Sequence, residues 1–325
     1  MTKINEYSLK NDKLEVRFLN IGGAITKIAL AEDDFSENLV LAYNDPSRYL
    51  DNAMFLNTII GRTSNRIKDG RFQLEGQVIQ LDLNDGPNNL HGGVDNLTHK
   101  FFDVSKIPAG FELKTTLPHQ ENGFPGTMQI TVRYELEEAA LVITYEAVTD
   151  QTTVVNLTHH AYFNLSGNLS SDVMGHTLEI PSRQVAEVDE TSAFTEMLLN
   201  TKETVFDFTK RRFVQPGDDL LPHPLMDQAN GYDHLFLLEN GQDAAATFED
   251  PQSGRRLVVR TTEPAMQFYG GNYIDAATTF EKGRAGIPYL GACFETHKVP
   301  YDYDSQILRP GEVYRQKTSF EFSKN

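Results

Sequence analysis

The chain of 325 residues has no tryptophan and a single cysteine, Cys293. One cysteine excludes an intramolecular disulfide framework and favours a reducing, cytoplasmic setting. Positive charge is also scarce: 29 Lys and Arg stand against 46 Asp and Glu, for a formal net charge of -17. That balance argues against a nucleic-acid surface and favours a protein handling neutral ligands. No apolar run approaches the ~20 residues of a membrane helix, so no membrane partner is expected. The opening residues, MTKINEYSLKNDKLEVRF, lack the apolar stretch of a signal peptide. Helical periodicity is hard to find; SAFTEMLLNT is the best helical candidate, and it is short. Dinucleotide, P-loop, CxxC, HExxH and Gly-x-Ser-x-Gly motifs are all missing. Neither a nucleotide nor a zinc site is expected from the motifs, and no metal or other cofactor is called for.

Alternating strand patterns fill the space that helices leave. KLEVRFLN runs through Gly22 and Gly23 into AITKIALA, a hairpin signature. RFQLEGQVIQLDL turns at Glu75-Gly76, and MQITVRYELEEAALVITYEAV turns at Glu137-Glu138. AAATFEDPQSGRRLVVRTT repeats the pattern, while YLGACFE and KTSFEFS supply further strands. No repeat, linker or low-complexity tract divides the chain. The expected fold is all-β, one large antiparallel domain over residues 1–325 built of packed sheets. Long polar loops at 83–93 and 119–127 are where binding residues would sit.

NLTHHAYFNL (156–165) sets two histidines side by side in a strand-like run. Neighbouring strand side chains point to opposite faces, so the two imidazoles cannot share one role. Leu157, His159, Ala161, Phe163 and Leu165 form an apolar row, whereas Asn156, Thr158, His160, Tyr162 and Asn164 all carry hydrogen-bonding groups. The second row reads as a pocket wall and singles out His160; His159 reads as a core residue. In YLGACFETHK, Glu295 points away from the apolar row Leu290, Ala292 and Phe294, together with the small Gly291 and Cys293. Small neighbours leave room for a group to approach that carboxylate. Taken singly, Glu295 also fits an exposed strand end, His91 a backbone-bonded loop histidine, Arg66 a surface arginine and Asp233 a turn residue.

Taken together, GRTSNRI, NNLHGG, NGFPGTMQITVRYEL, NLTHHAYFNL, VDET…FDF, GYDHLF and FETHKVP, in this order, resemble the aldose 1-epimerase (galactose mutarotase) family. The resemblance runs from about the first hairpin to RPGEVYRQKTSFEFS, nearly the whole chain. It implies a large antiparallel β-supersandwich and the interconversion of the α and β anomers of glucose or galactose. On matching positions it implies Glu295 as general base on the C1 hydroxyl and His160 as general acid on the ring oxygen. It also implies sugar contacts from His91, Arg66 and Asp233, with Asn65 and Tyr162 beside them. A small-molecule sugar is the expected partner, with the chain a monomer or homodimer. A carboxylate and an imidazole suit this reaction, because ring opening needs one proton removed and another delivered across the anomeric carbon.

Two segments depart from the family pattern. His297, two residues after Glu295, stands where the family usually has Gln, and VDETSAFTEM lacks the usual Pro-Thr-Gly. Stacking on a pyranose must come from Phe or Tyr. The rival readings are an epimerase of a hexose 6-phosphate or disaccharide, and a non-catalytic carbohydrate-binding protein of the same fold.

Overall fold

The computed structural model describes residues 3–217, 220, 223–239 and 241–325. Its framework is a nine-stranded sheet facing a six-stranded one, with smaller sheets at their margins. All pairings between these strands are antiparallel among the described residues. The central hairpin pairs Met128–Glu137 with Ala140–Thr149 in the register Glu137↔Ala140, closing the turn at the expected position. Leu14–Leu19 pairs with Ile25–Leu30, Arg71–Leu74 with Gln77–Gln80, and Ala246–Asp250 with Arg255–Thr261. Each of these hairpins follows the sequence pattern, since alternation puts one row of side chains in the core and the other toward solvent or a neighbouring layer.

The six-stranded sheet runs in the order Tyr162–Phe163, Ala292–His297, Ala265–Tyr269, Asp233–Leu237, Gln184–Val188, Phe194–Asn200. One face is a phenylalanine layer. Phe294 packs on Phe248 of the opposite sheet at 5.2 Å between ring centroids, and Phe163 packs on Phe320 at 5.0 Å. Burying each of these rings contributes roughly 1.5–3 kcal/mol. The other face carries Tyr162, Cys293, Glu295, Gln267, Tyr269 and Asp233. Strand alternation thus hangs a polar cavity on the back of a rigid, aromatic-cored sheet.

Two expectations need correction. SAFTEMLLNT is not helical: Phe194–Asn200 is a strand paired with Gln184–Val188, with Met197 61% exposed on the sheet's edge. So short a segment cannot sustain a helix on propensity alone, and the neighbouring strand offers its backbone a ladder. The α-helices among the described residues are Pro224–Ala229, with proline at its first turn, and Tyr303–Gln306; the other helical segments are short 3-10 turns. Residues 156–165 are not one continuous strand either. Thr158–His159 pairs with Ile59–Ile60, then the chain changes partner and Tyr162–Phe163 pairs with Ala292–Cys293. His160 falls in the gap between these pairings.

Candidate active site

The chain's change of partner is what presents His160. Its backbone N–H donates to Thr58 O at 2.9 Å, and its carbonyl accepts from Asn57 N–H at 3.1 Å. The two-residue period survives the gap, so His160 and Tyr162 face the cavity while His159 turns into the core. There Tyr134 OH donates to Gly23 O at 2.7 Å and so accepts from His159 Nε2–H at 3.1 Å. The rest of the polar row serves the backbone. Asn156 bridges to Lys298 through both its amide groups, and Asn164 donates to the carbonyls of Leu290 and Ser171. Only part of the row is pocket wall, because buried polar side chains here are needed first to satisfy main-chain groups.

Glu295 sits in the strand Ala292–His297 and meets His160 across the cavity floor, with His160 Nε2 3.5 Å from Glu295 Oε1. The space beside its small row-mates is filled by protein. A Cβ on Gly291 would lie 2.6 Å from Leu41 and 3.2 Å from Tyr162 Cβ, and Cys293 Sγ touches His160 Nδ1 at 3.4 Å. The room inferred from Gly291 and Cys293 is therefore occupied by Leu41, Tyr162 and the His160 ring. The carboxylate's opening is the cavity itself.

His91 and Asn65 lock together. His91 N–H donates to Asn65 O, and Asn65 N–H donates to His91 Nδ1, both at 3.1 Å. Each has a left-handed φ, 54° and 62°, a conformation that Asn and His tolerate better than most residues. The glycine after His91 has no alternative: a Cβ at Gly92 would lie 2.4 Å from Gly61 O. Because Nδ1 accepts a backbone hydrogen, neutral His91 carries its proton on Nε2 and presents a donor. Asn65 Nδ2 donates to Gln267 Oε1 at 3.1 Å, and Gln267 Nε2 donates to Asp233 Oδ1 at 2.7 Å. Arg66 pairs with Asp85 at 2.6 Å.

These residues line a cavity of about 270 Å³ with Phe55, Tyr269 and Tyr273. Every predicted site residue, namely Glu295, His160, His91, Arg66, Asp233, Asn65 and Tyr162, is on its wall. His297 is not: it is buried, with Nδ1 2.8 Å from Lys298 O. Sequence reasoning missed Gln267 and the aromatic walls. Gln267 had a signal, a polar residue in the otherwise apolar strand AMQFY. Phe55 had none, being a left-handed loop residue placed by tertiary contacts at 4.8 Å from the His91 ring.

Burial governs the charges. It pushes the Glu295 carboxyl well above the usual carboxylate range, with the Asp233 charge adding to the rise and Arg66 opposing it. It pulls His160 down to about 4 and His91 well below the usual imidazole range. Asp233 is raised by burial, against Arg66 and the Gln267 bond. A carboxyl pushed up beside an imidazole pushed down means that the pair holds one proton and can pass it on. Ligand atoms of His91, His160 and Glu295 all lie within 4.8 Å of one another, so among the described residues these three are also close enough to hold a metal ion.

An all-β sandwich with a carboxylate and an imidazole facing each other in a small polar cavity has the side chains that acid–base chemistry on a small ligand would use. The sequence profile of the aldose 1-epimerase family matches residues 5–321, and the chain belongs to that family. It is 33% identical to a galactose mutarotase of Bos taurus over 98% of this chain and 94% of that protein. An aldose 1-epimerase of Escherichia coli K12 is 32% identical over 91% of this chain and 88% of its own length. Among solved structures, galactose 1-epimerase from Lactobacillus acidophilus NCFM superposes with a TM-score of 0.86 at 28% identity, covering 100% of both chains. A GalM/aldose epimerase homologue from C. elegans has the same fold, with a TM-score of 0.88 at 23% identity over 99% of both chains. The family's activity is isomerisation at the anomeric carbon, and this chain is an isomerase of that class.

Proposed function

We propose that Glu295 and His160 interconvert the α and β anomers of a neutral hexose, galactose or glucose, in the cavity they share. The observation that carries this is their 3.5 Å approach in a buried site, which sets a carboxyl and an imidazole on the wall of one cavity. Glu295 takes the proton of the C1 hydroxyl while His160 gives one to the ring oxygen, and the C1–O5 bond breaks. Rotation about C1–C2 in the open aldehyde and closure with the transfers reversed give the other anomer. His91 Nε2–H supports the ring oxygen or a nearby hydroxyl. Asp233, Arg66 and the Asn65–Gln267 link hold the remaining hydroxyls, and Phe55 and the tyrosines supply the apolar faces that tryptophan would otherwise give.

A neutral substrate is supported by how the nearby cations are used. Arg62 donates to the carbonyls of Pro125 and Gly126, Lys68 pairs with Asp189, and Arg66 pairs with Asp85. A phosphate would find Asp233 and Asp85 there and no free cationic cluster among the described residues. A purely binding protein needs no matched base and acid, which favours catalysis. The family match and a hydrophobic core running from Leu9 to Phe322 support reading the chain as one domain. The buried, unpaired Cys293 supports a reducing cytoplasmic setting. Polarimetry on freshly dissolved α-galactose and α-glucose tests the proposal. The protein should speed the approach to anomeric equilibrium without moving its end point. An unchanged rate on both sugars, with binding retained, would establish the non-catalytic reading.

A further inference from the structure

Behind the His160 ring, on the side away from Glu295, lies the thiol of Cys293. The sulfur is 3.4 Å from Nδ1, and the residue is fully buried two positions before Glu295 on the same strand face. We propose that Cys293 is a positioning residue for His160: its sulfur accepts the Nδ1–H hydrogen bond and fixes the ring so that only Nε2 exchanges protons with the sugar. The inference rests on His160 acting as the acid.

Proton counting supports it. An imidazolium that gives its Nε2 proton to the ring oxygen is left neutral with its remaining proton on Nδ1. That proton must have a partner in both states, or a buried donor is left stranded without a hydrogen bond. Cys293 provides the partner throughout, while the Nε2 lone pair returns to face the proton of Glu295. The chemical nature of the partner matters as much as its place. Burial, reinforced by the charge of Glu295, keeps the thiol protonated, so the atom behind the imidazole is neutral. A carboxylate there would stabilise the imidazolium and make it a weaker acid. A neutral sulfur orients the ring and leaves it a strong one. His91, in contrast, has its Nδ1 bound to a backbone N–H and is fixed in the opposite tautomer. The two histidines of the cavity are thus divided by their rear contacts into a permanent donor and a proton carrier.

The test reads the tautomer directly, by nitrogen-15 NMR of the imidazoles in the full chain at neutral pH. In the parent, His160 should show a protonated Nδ1 and an unprotonated Nε2, with the reverse at His91. Cys293→Ser keeps a neutral acceptor and should keep that tautomer and kcat within about threefold. Cys293→Ala should give mixed tautomers and a kcat lower by about 10–100-fold, the usual loss for a partner one step behind the reacting group, with KM little changed. A parent His160 protonated on Nε2 would overturn the inference, even where a variant failed to fold. So would an alanine variant with the parent's tautomer and kcat. Full activity in His160→Gln would instead remove the acid role itself and leave the tautomer reading intact.

Discussion

His160 Nε2 and Glu295 Oε1 face each other at 3.5 Å, His160 from the gap between two strand pairings and Glu295 from the strand Ala292–His297. Burial drives both away from their charged forms, so the pair carries a single proton over a wide pH range. Activity requires that one-proton state. The pH profile of kcat/KM should therefore have an acid limb near pH 4, where a second proton is taken up. Its alkaline limb should lie well above the ordinary carboxylate range, where the last proton is lost. Both limbs belong to the pair. A single ionisation near the ordinary histidine value of about 6.5 would contradict this picture.

Glu295→Gln keeps the shape of the side chain and removes the base. Steady-state polarimetry should show kcat lower by roughly 10²–10⁴, with sugar affinity affected far less. Near-normal turnover would assign the base to another group.

The adjacent histidines should fail in different ways. His160→Gln should lose roughly 3–5 kcal/mol of transition-state stabilisation with little change in melting temperature. His159→Ala should cost ~1–3 kcal/mol of folding stability, because it empties a core position and removes the bond to Tyr134. Its activity per folded molecule should stay within about tenfold of the parent. Measuring kcat and the thermal midpoint on both variants separates the roles, and the reverse pattern would disprove the assignment.

Several imidazoles outside the reaction are buried uncharged. Burial pulls His159 and His234 down to about 3 and His297 to about 4. Unfolded, each would titrate near 6.5, so below that pH the unfolded chain binds protons that the folded chain refuses. Stability contributed by these groups is present above about pH 6.5 and is lost progressively as pH falls toward 4. Thermal midpoints should decline over that window, and His159→Gln should flatten the decline by about one proton's worth. A midpoint independent of pH from 7 to 5 would show that these rings are not excluded from protonation.

Proton transfer between side chains asks for no metal. Exhaustive EDTA treatment and dialysis should leave the mutarotation rate unchanged, although His91, His160 and Glu295 are close enough to hold an ion. A lasting loss restored by zinc or magnesium would show that this set binds a metal needed for turnover.

By itself, the sequence determined the β character, the positions of the main hairpins and the opposite fates of His159 and His160. These follow from a two-residue period, which is a local property and survives even the change of strand partner at His160. The family motifs carried the seven wall residues. Three-dimensional packing decided the rest. SAFTEMLLNT became a strand because a neighbouring strand was available, which no window of ten residues reports. Gly291 and Cys293 marked a small-residue face, but only the fold shows that Leu41, Tyr162 and the His160 ring fill it. The link from Asn65 through Gln267 to Asp233 joins positions 202 and 34 residues apart, and its geometry exists only once the sheet has formed. The proton affinities are likewise tertiary, since they arise from burying a carboxyl and an imidazole together, and burial is a property of the folded chain.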